Sequence, residues 1–189
     1  GVLGRGGMGA VWAARHLRLP GKRVAIKVML PGTGDPQVLA RFQREAEIVS
    51  RIGHPGIVEV LDFNVLEDGS PYQVLEYLDG ESLGARLGRG PIPLPEALSI
   101  TRQIGSALAA AHRLGVVHRD LKPENIFFHT PTRQYKLLDF GIAKVLGAVA
   151  MTARGQILGT AEYMSPEQAR GGEVDLRSDL YSLGCVLWE

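Results

Sequence analysis

A single cysteine, Cys185, excludes an internal disulfide, and its apolar helical surroundings predict a buried, inert thiol. Excess charge is also missing. Lys and Arg number 21 against 20 Asp and Glu, giving a net charge of +1 with no basic block, so nucleic acid is not expected as a partner. No apolar run is long enough for a membrane span, and the first residues do not resemble a signal peptide. There are no internal repeats or low-complexity segments. What remains is 45% hydrophobic and 22% charged, the composition of a globular protein. Its 189 residues suffice for one domain with a sizeable core or two small lobes.

The densest chemistry is in His118-Arg119-Asp120-Leu121-Lys122-Pro123-Glu124-Asn125, followed by Asp139-Phe140-Gly141. An acid, a lysine and an asparagine within six residues suit phosphate chemistry. They offer a group to receive a proton, a cation for phosphate charge and an oxygen ligand for a hard metal. Asp139, after the apolar pair Leu137-Leu138, offers a second such ligand. Mg²⁺ prefers oxygen ligands and usually keeps waters and substrate phosphates in its shell.

Near the start, Gly4-Arg5-Gly6-Gly7-Met8-Gly9-Ala10-Val11 fits G-x-G-x-x-G-x-V. Such glycines let backbone N–H groups approach phosphate oxygens. A dinucleotide-binding turn shares the pattern but needs a helix directly after the last glycine. Here Val11 to Ala14 leads instead to a Pro20-Gly21 turn and a second strand, Arg23 to Leu30, with Lys27 amid apolar neighbours. An ammonium buried there needs an acidic partner. Arg41 to Val49 is predicted as a helix carrying Glu45 and Glu47, which project about 200° apart around it. Strands are predicted at Ile57–Leu61 and Tyr72–Leu78, and helices at Glu81–Leu87 and Glu96–Leu114. A hairpin is predicted to join Ile126–Phe128 to Tyr135–Leu138, and Ser178 to open a further helix. His112 is expected to be a partly exposed surface residue.

Together these segments resemble the catalytic signature of protein kinases, close to the serine/threonine branch and to bacterial kinases of the eukaryotic type. The resemblance covers essentially the whole chain. It implies an α+β, two-lobed fold, with a small β-rich N-lobe over residues 1–79 and a mainly helical C-lobe over 80–189. It also implies truncation at both ends, with the first strand clipped and the chain stopping in the central helix. By resemblance, Asp120 receives the substrate hydroxyl proton, Lys122 neutralises the transferring phosphate, and Asn125 and Asp139 hold Mg²⁺. Lys27 reaches the ATP phosphates and pairs with Glu45, and Thr160 touches Asp120 and Lys122. Gly4, Gly6, Gly7 and Gly9 cover the phosphates. Leu3, Val11, Ala25 and Phe127 enclose adenine, Leu75 closes the back of its pocket, and backbone groups of Glu76 and Leu78 bond its edge. His118 and Phe140 are implied to pack in an apolar spine with Val49 and Val60, His118 not being a base. Asp179 is implied to brace the catalytic-loop backbone.

The implied reaction moves the γ-phosphoryl group of ATP to serine or threonine hydroxyls of protein substrates. Lys122 and the Gly159–Glu167 stretch favour proteins over small molecules as acceptors. Autophosphorylation is expected at Thr152, where Arg119 and Lys144 could converge. Alternatives are a nucleotide-binding pseudokinase or scaffold, or a fragment inactive through truncation. The implied setting is cytoplasmic, with any membrane tether lying outside this segment, and the family allows homodimers paired through the N-lobe.

Overall fold

The computed structural model describes residues 1–6, 9–29, 36–140 and 161–189, without the side chains of 36–39, 41, 42 and 45. Contacts divide the chain into two compact units. One joins Gly1–Gly53 to Val58–Leu78, and the other joins His54–Ile57 to Asp79–Glu189.

The first unit is a five-stranded antiparallel sheet with one long helix. Strands β1 (Val2–Gly6), β2 (Gly9–Arg15) and β3 (Arg23–Met29) precede α1 (Pro36–Ile52), and β4 (Val60–Val65) and β5 (Pro71–Glu76) follow. The order β1-β2-β3-β5-β4 puts β5 between β3 and β4. Val24, Ala25 and Met29 are buried on β3, and Ala46 and Val49 on α1, which packs against β4. Gly9 has φ +154°, and a Cβ there would lie 2.0 Å from the carbonyl oxygen of Val28, so the start of β2 accepts only glycine.

The strand expected at Ile57–Leu61 begins at Val60 instead. His54 and Gly56 fold into a turn in which His54 Nδ1 accepts from Gly56 N (3.0 Å) and His54 O from Ile57 N (2.9 Å). Ile57 then makes an isolated parallel bridge with Leu137 in the second unit. Its apolar character serves that unit, so the run from 57 is shared between two cores.

The second unit opens with β6 (Gly80–Ser82) and α2 (Leu83–Leu87), then α3 (Leu94–His112), β7 (Ile126–His129) and β8 (Gln134–Leu137). It closes with α4 (Pro166–Ala169) and α5 (Leu176–Trp188). Glu81, expected as a helix start, is a strand residue paired with Phe128, and Gly80 before it pairs with His129. Gly80 has φ +150°, and a Cβ would lie 1.9 Å from Phe128 O, so close strand approach is what requires glycine here. Ser82 then caps α2 by accepting from Ala85 N (3.2 Å).

Helix α3 supplies Ile104, Ala107, Leu108 and Ala111, each at most 1% exposed, and Leu121, Ile126 and Leu137 are equally enclosed. Full burial of a leucine or isoleucine side chain stabilises by about 1.5–3 kcal/mol. The Gln103 side chain accepts from Tyr135 N (3.0 Å), tying α3 to β8. Cys185, expected to be buried, is half-buried on α5, whose inward face is instead formed by Ser178, Asp179, Ser182 and Val186.

Candidate active site

In the second unit, residues 116–125 cross from the end of α3 to β7 as a loop built around one buried carboxylate. Asp179, in the first turn of α5 and fully buried, accepts from three donors. Its Oδ2 takes His118 N (2.8 Å) and lies 2.7 Å from His112 Nε2, and its Oδ1 takes Arg119 N (2.9 Å). Arg119 has φ +64°, a left-handed backbone that costs a non-glycine residue of order 1–3 kcal/mol. Charge-assisted bonds to two successive amides hold that turn. Arg119 O is held as well, accepting from Gln168 Nε2 (2.8 Å).

The turn aims the side chains that follow. Asn125 Nδ2 donates to Asp120 O (2.8 Å) and lies 3.1 Å from Asp120 Oδ2, while Lys122 Nζ stands 3.5 Å from the same oxygen. The carboxylate of Asp120 is thereby oriented from two sides. Pro123–Asn125 form one turn of 3₁₀ helix, with proline at its first position where a missing N–H costs nothing. Leu138 N donates to Asn125 O (2.8 Å), which brings Asn125 beside the residue preceding Asp139. Asp139 also has a left-handed backbone, φ +45°.

His118 is fully enclosed. Its Nε2 lies 2.8 Å from Leu138 O, its Nδ1 accepts from Asp120 N (3.3 Å), and its ring packs 4.7 Å from that of Phe140. Burial pushes its pKa below the usual histidine value, outweighing the opposing pull of Asp179, Asp120 and Asp139. A neutral ring donating through Nε2 fits both contacts, and its surroundings are those of a packing residue.

Downstream, Ser165 caps α4 in a reciprocal box with Gln168, and Ser178 Oγ bonds the Glu167 carboxylate, which holds the Glu167 pKa below its usual range. A small cleft beside Asp120 is lined by Arg119, Tyr163, Met164 and Gln168, among others.

In the first unit, β3 pairs Lys27 with Val11 on β2 and with Gln73 on β5, and pairs Ala25 with Ala13 and Leu75. Directly paired residues and residues two apart share a sheet face, so Val11, Ala25, Lys27 and Leu75 lie on one face. Ala25 and Leu75 are buried there, and Val11 and Lys27 are half-buried. Leu3, Gly4 and Gly6 are exposed on β1, with Gly4 opposite Val11 and Gly6 opposite Gly9. Glu76 N donates to Glu59 O (3.0 Å) and the Glu76 carboxylate accepts from Glu59 N (2.9 Å), so the Glu76 N–H is already engaged. Leu78 is half-buried at the end of this unit, and Phe127 is half-buried on β7 in the other. Glu47 is exposed on α1. The Glu45 side chain lies outside the described residues, as do Gly7, Gly141, Lys144, Thr152 and Thr160.

One residue that anchors the loop's buried carboxylate, on α3, departs from expectation. His112 is not a surface residue: its side chain is 12% exposed and bonded to Asp179. Its partner is 67 residues away, and the helical periodicity of α3 carries no sign of that contact. Ser165-x-x-Gln168, by contrast, has the S-x-x-Q pattern of a capping box, a local signal that the reading of the Gly159–Glu167 stretch left unused.

No cluster of three His, Cys, Asp or Glu residues able to hold a metal occurs among the described residues. Asn125 and Asp139 still fit a hard cation that draws its other ligands from water and phosphate. Because Asn125 directs its NH₂ at Asp120, its carbonyl oxygen is left as the ligand.

Known structures define the class. Crystal structures of the Mycobacterium tuberculosis PknI kinase domain are similar at 31% identity, with TM-scores of 0.77 and 0.79, covering 98% or more of this chain and 68–71% of theirs. The fold is the two-lobed α+β kinase fold. The family model described as Protein kinase domain matches residues 1–189, and the chain belongs to that family.

Among curated relatives, the serine/threonine-protein kinase pkn3 of Myxococcus xanthus is 45% identical over 197 residues. The probable serine/threonine-protein kinase SCO3848 of Streptomyces coelicolor is 47% identical over 195 residues, and PknA of Mycobacterium tuberculosis 44% over 194. Each alignment covers 100% of this chain but only 36%, 29% and 44% of the relative, so the chain spans less than half of their lengths.

Proposed function

We propose that the protein transfers the γ-phosphoryl group of Mg-ATP to serine or threonine hydroxyls of protein substrates. The observation that carries this reading is the carboxylate of Asp120, oriented by Asn125 and Lys122 on a backbone turn pinned to Asp179. Asp120 receives the hydroxyl proton as the substrate oxygen bonds to the γ-phosphorus and the bond to the bridging oxygen of ADP breaks. Lys122 faces the charge on the transferring group. Asn125 and Asp139 would hold Mg²⁺, which neutralises phosphate charge when bound. In the first unit, Lys27 reaches phosphate, with Glu45 as its partner. Gly4, Gly6, Gly7 and Gly9 admit backbone donors to phosphate, and Leu3, Val11, Ala25, Leu75 and Leu78 with the backbone of Glu76 take the base. Phe127 contributes a further apolar contact and Thr160 steadies Asp120.

Transfer of labelled γ-phosphate to a serine- or threonine-containing peptide tests the assignment. Asp139→Asn is expected to abolish Mg-dependent transfer, and Asp120→Asn to keep nucleotide affinity while turnover falls about 10²-fold or more. Wild-type turnover in either variant refutes it. Autophosphorylation belongs to the same proposal: mass spectrometry is expected to find Thr152 modified, and Thr152→Ala to slow transfer to peptide.

A further inference from the structure

The turn joining β2 to β3 concentrates charge of one sign. Between Arg15 and Arg23 lie Arg15, Arg18, Lys22 and Arg23 with no acidic residue, and all nine positions are exposed. Among the described residues, no carboxylate pairs with Arg15, Arg18 or Lys22. Arg15 and Arg23 sit directly opposite each other across the strands, a like-charge pairing that works against sheet stability. Leu17 stands at the tip, 99% exposed, with Leu19 at 50%.

The tip is nevertheless ordered. His16 Nδ1 accepts from Arg18 N (3.1 Å) and Leu19 N (3.2 Å), His16 N donates to Lys22 O (2.9 Å), and Lys22 N to Leu19 O (3.1 Å). The Arg23 guanidinium stacks 4.2 Å over the Tyr77 ring. A preformed tip loses little conformational freedom on docking.

We propose that this hairpin docks on an anionic phospholipid bilayer. The phosphates of such a surface complement the cations, and the acyl boundary takes Leu17, while the long basic side chains stay at headgroup depth. Duplex nucleic acid would match the cations but has no place for a leucine at the apex. An acidic peptide would need its own apolar groove to receive a convex tip. One leucine with Arg15, Arg18 and Lys22 gives reversible docking rather than anchoring.

Sedimentation of the purified protein with sucrose-loaded vesicles tests this. Vesicles of phosphatidylcholine and phosphatidylserine, three to one, are expected to bind it, and vesicles of phosphatidylcholine alone are not. Each cation contributes about five-fold in partitioning, so Arg18→Glu with Lys22→Glu is expected to weaken binding by more than about 20-fold. Leu17→Ser is expected to weaken it about 10-fold with the salt dependence unchanged. Arg102→Glu, an exposed charge reversal on α3, is the control and is expected to bind as wild type. Circular dichroism verifies that each variant is folded. Equal binding to both vesicle types, no binding, wild-type binding by Leu17→Ser, or equal loss in the Arg102 control overturns the proposal. Tighter capture by duplex DNA or an acidic peptide than by the vesicles does so too.

Discussion

Replacing Asp179 by asparagine keeps the shape of the buried side chain and removes one of its two acceptors. Three donors converge on those oxygens: two from successive backbone amides and one from His112. If the asparagine oxygen faces Arg119 N, then His118 N and His112 meet an NH₂ group; in the opposite orientation Arg119 N does. At least one buried amide loses its partner in either case. A hydrogen bond to a charged group contributes about 1.5–3 kcal/mol, and an orphaned buried donor costs about 1–3 kcal/mol. The strain at Arg119 further favours release of the turn. A net loss of about 3 kcal/mol corresponds to roughly 100-fold weaker protection. Hydrogen exchange at the His118 and Arg119 amides reads this locally, without requiring two-state unfolding. His112→Ala leaves both amide bonds intact and opens a site that water can enter, so protection should fall only about five-fold. Asp175→Asn, at the exposed cap of α5, should leave both amides unchanged. Unaltered protection in Asp179→Asn, or a larger effect from His112→Ala, would refute the view that this carboxylate holds the turn.

Glycine positions give a second contrast. Gly9→Ala drives a Cβ into Val28 O and should lower the melting temperature by several degrees, whereas Gly6→Ala meets nothing within 4 Å among the described residues and should melt as wild type. Lys27→Met is expected to lose phosphoryl transfer and Glu45→Gln to reproduce much of that loss, while Glu47→Gln, altering an exposed residue, retains activity; kcat/KM of each variant checks the choice. The pKa of His118 is depressed by burial, and that of His54 by burial and the neighbouring charges of Arg113 and Lys136. On acidification the unfolded state therefore takes up protons first. Both histidines contribute full stability above their unfolded pKa near 6.5, and this is lost as pH falls from there toward the folded values, chiefly through the enclosed His118, since solvent screens the charges around the more exposed His54. NMR of the His118 ring should show it neutral below pH 6.5, and a ring titrating at its ordinary value would contradict the assignment.

Sequence alone reached what is local. Strand, turn and strand around Pro20-Gly21 follow from composition within a dozen residues, as does the β7–β8 hairpin flanked by apolar runs. Residues 118–125 act as one loop because their spacing is short. Features whose cause is a distant partner were not legible. Strand β6 has three residues, one of them glycine, and exists because Phe127–His129 lie ready to pair. His112 reads as part of a helix face until Asp179 is folded against it. The cap of the fully buried Ser165 on Gln168 is local, but nothing local shows that Gln168 also fixes the strained turn at Arg119.

Residues 54–57 belong to the second unit while the chain on either side of them builds the first. During synthesis this tetrapeptide emerges long before its partners, Ser106 on α3 and Leu137 on β8. The first unit can close its sheet once β5 is out, yet it then carries a loop with an unsatisfied apolar residue, Ile57, awaiting a core that has not been made. A recombinant exchange of the first unit between relatives cut at Leu78 would therefore import a foreign piece of the second core. The modular boundary for such grafts is a three-part splice, with His54 to Ile57 kept from the acceptor.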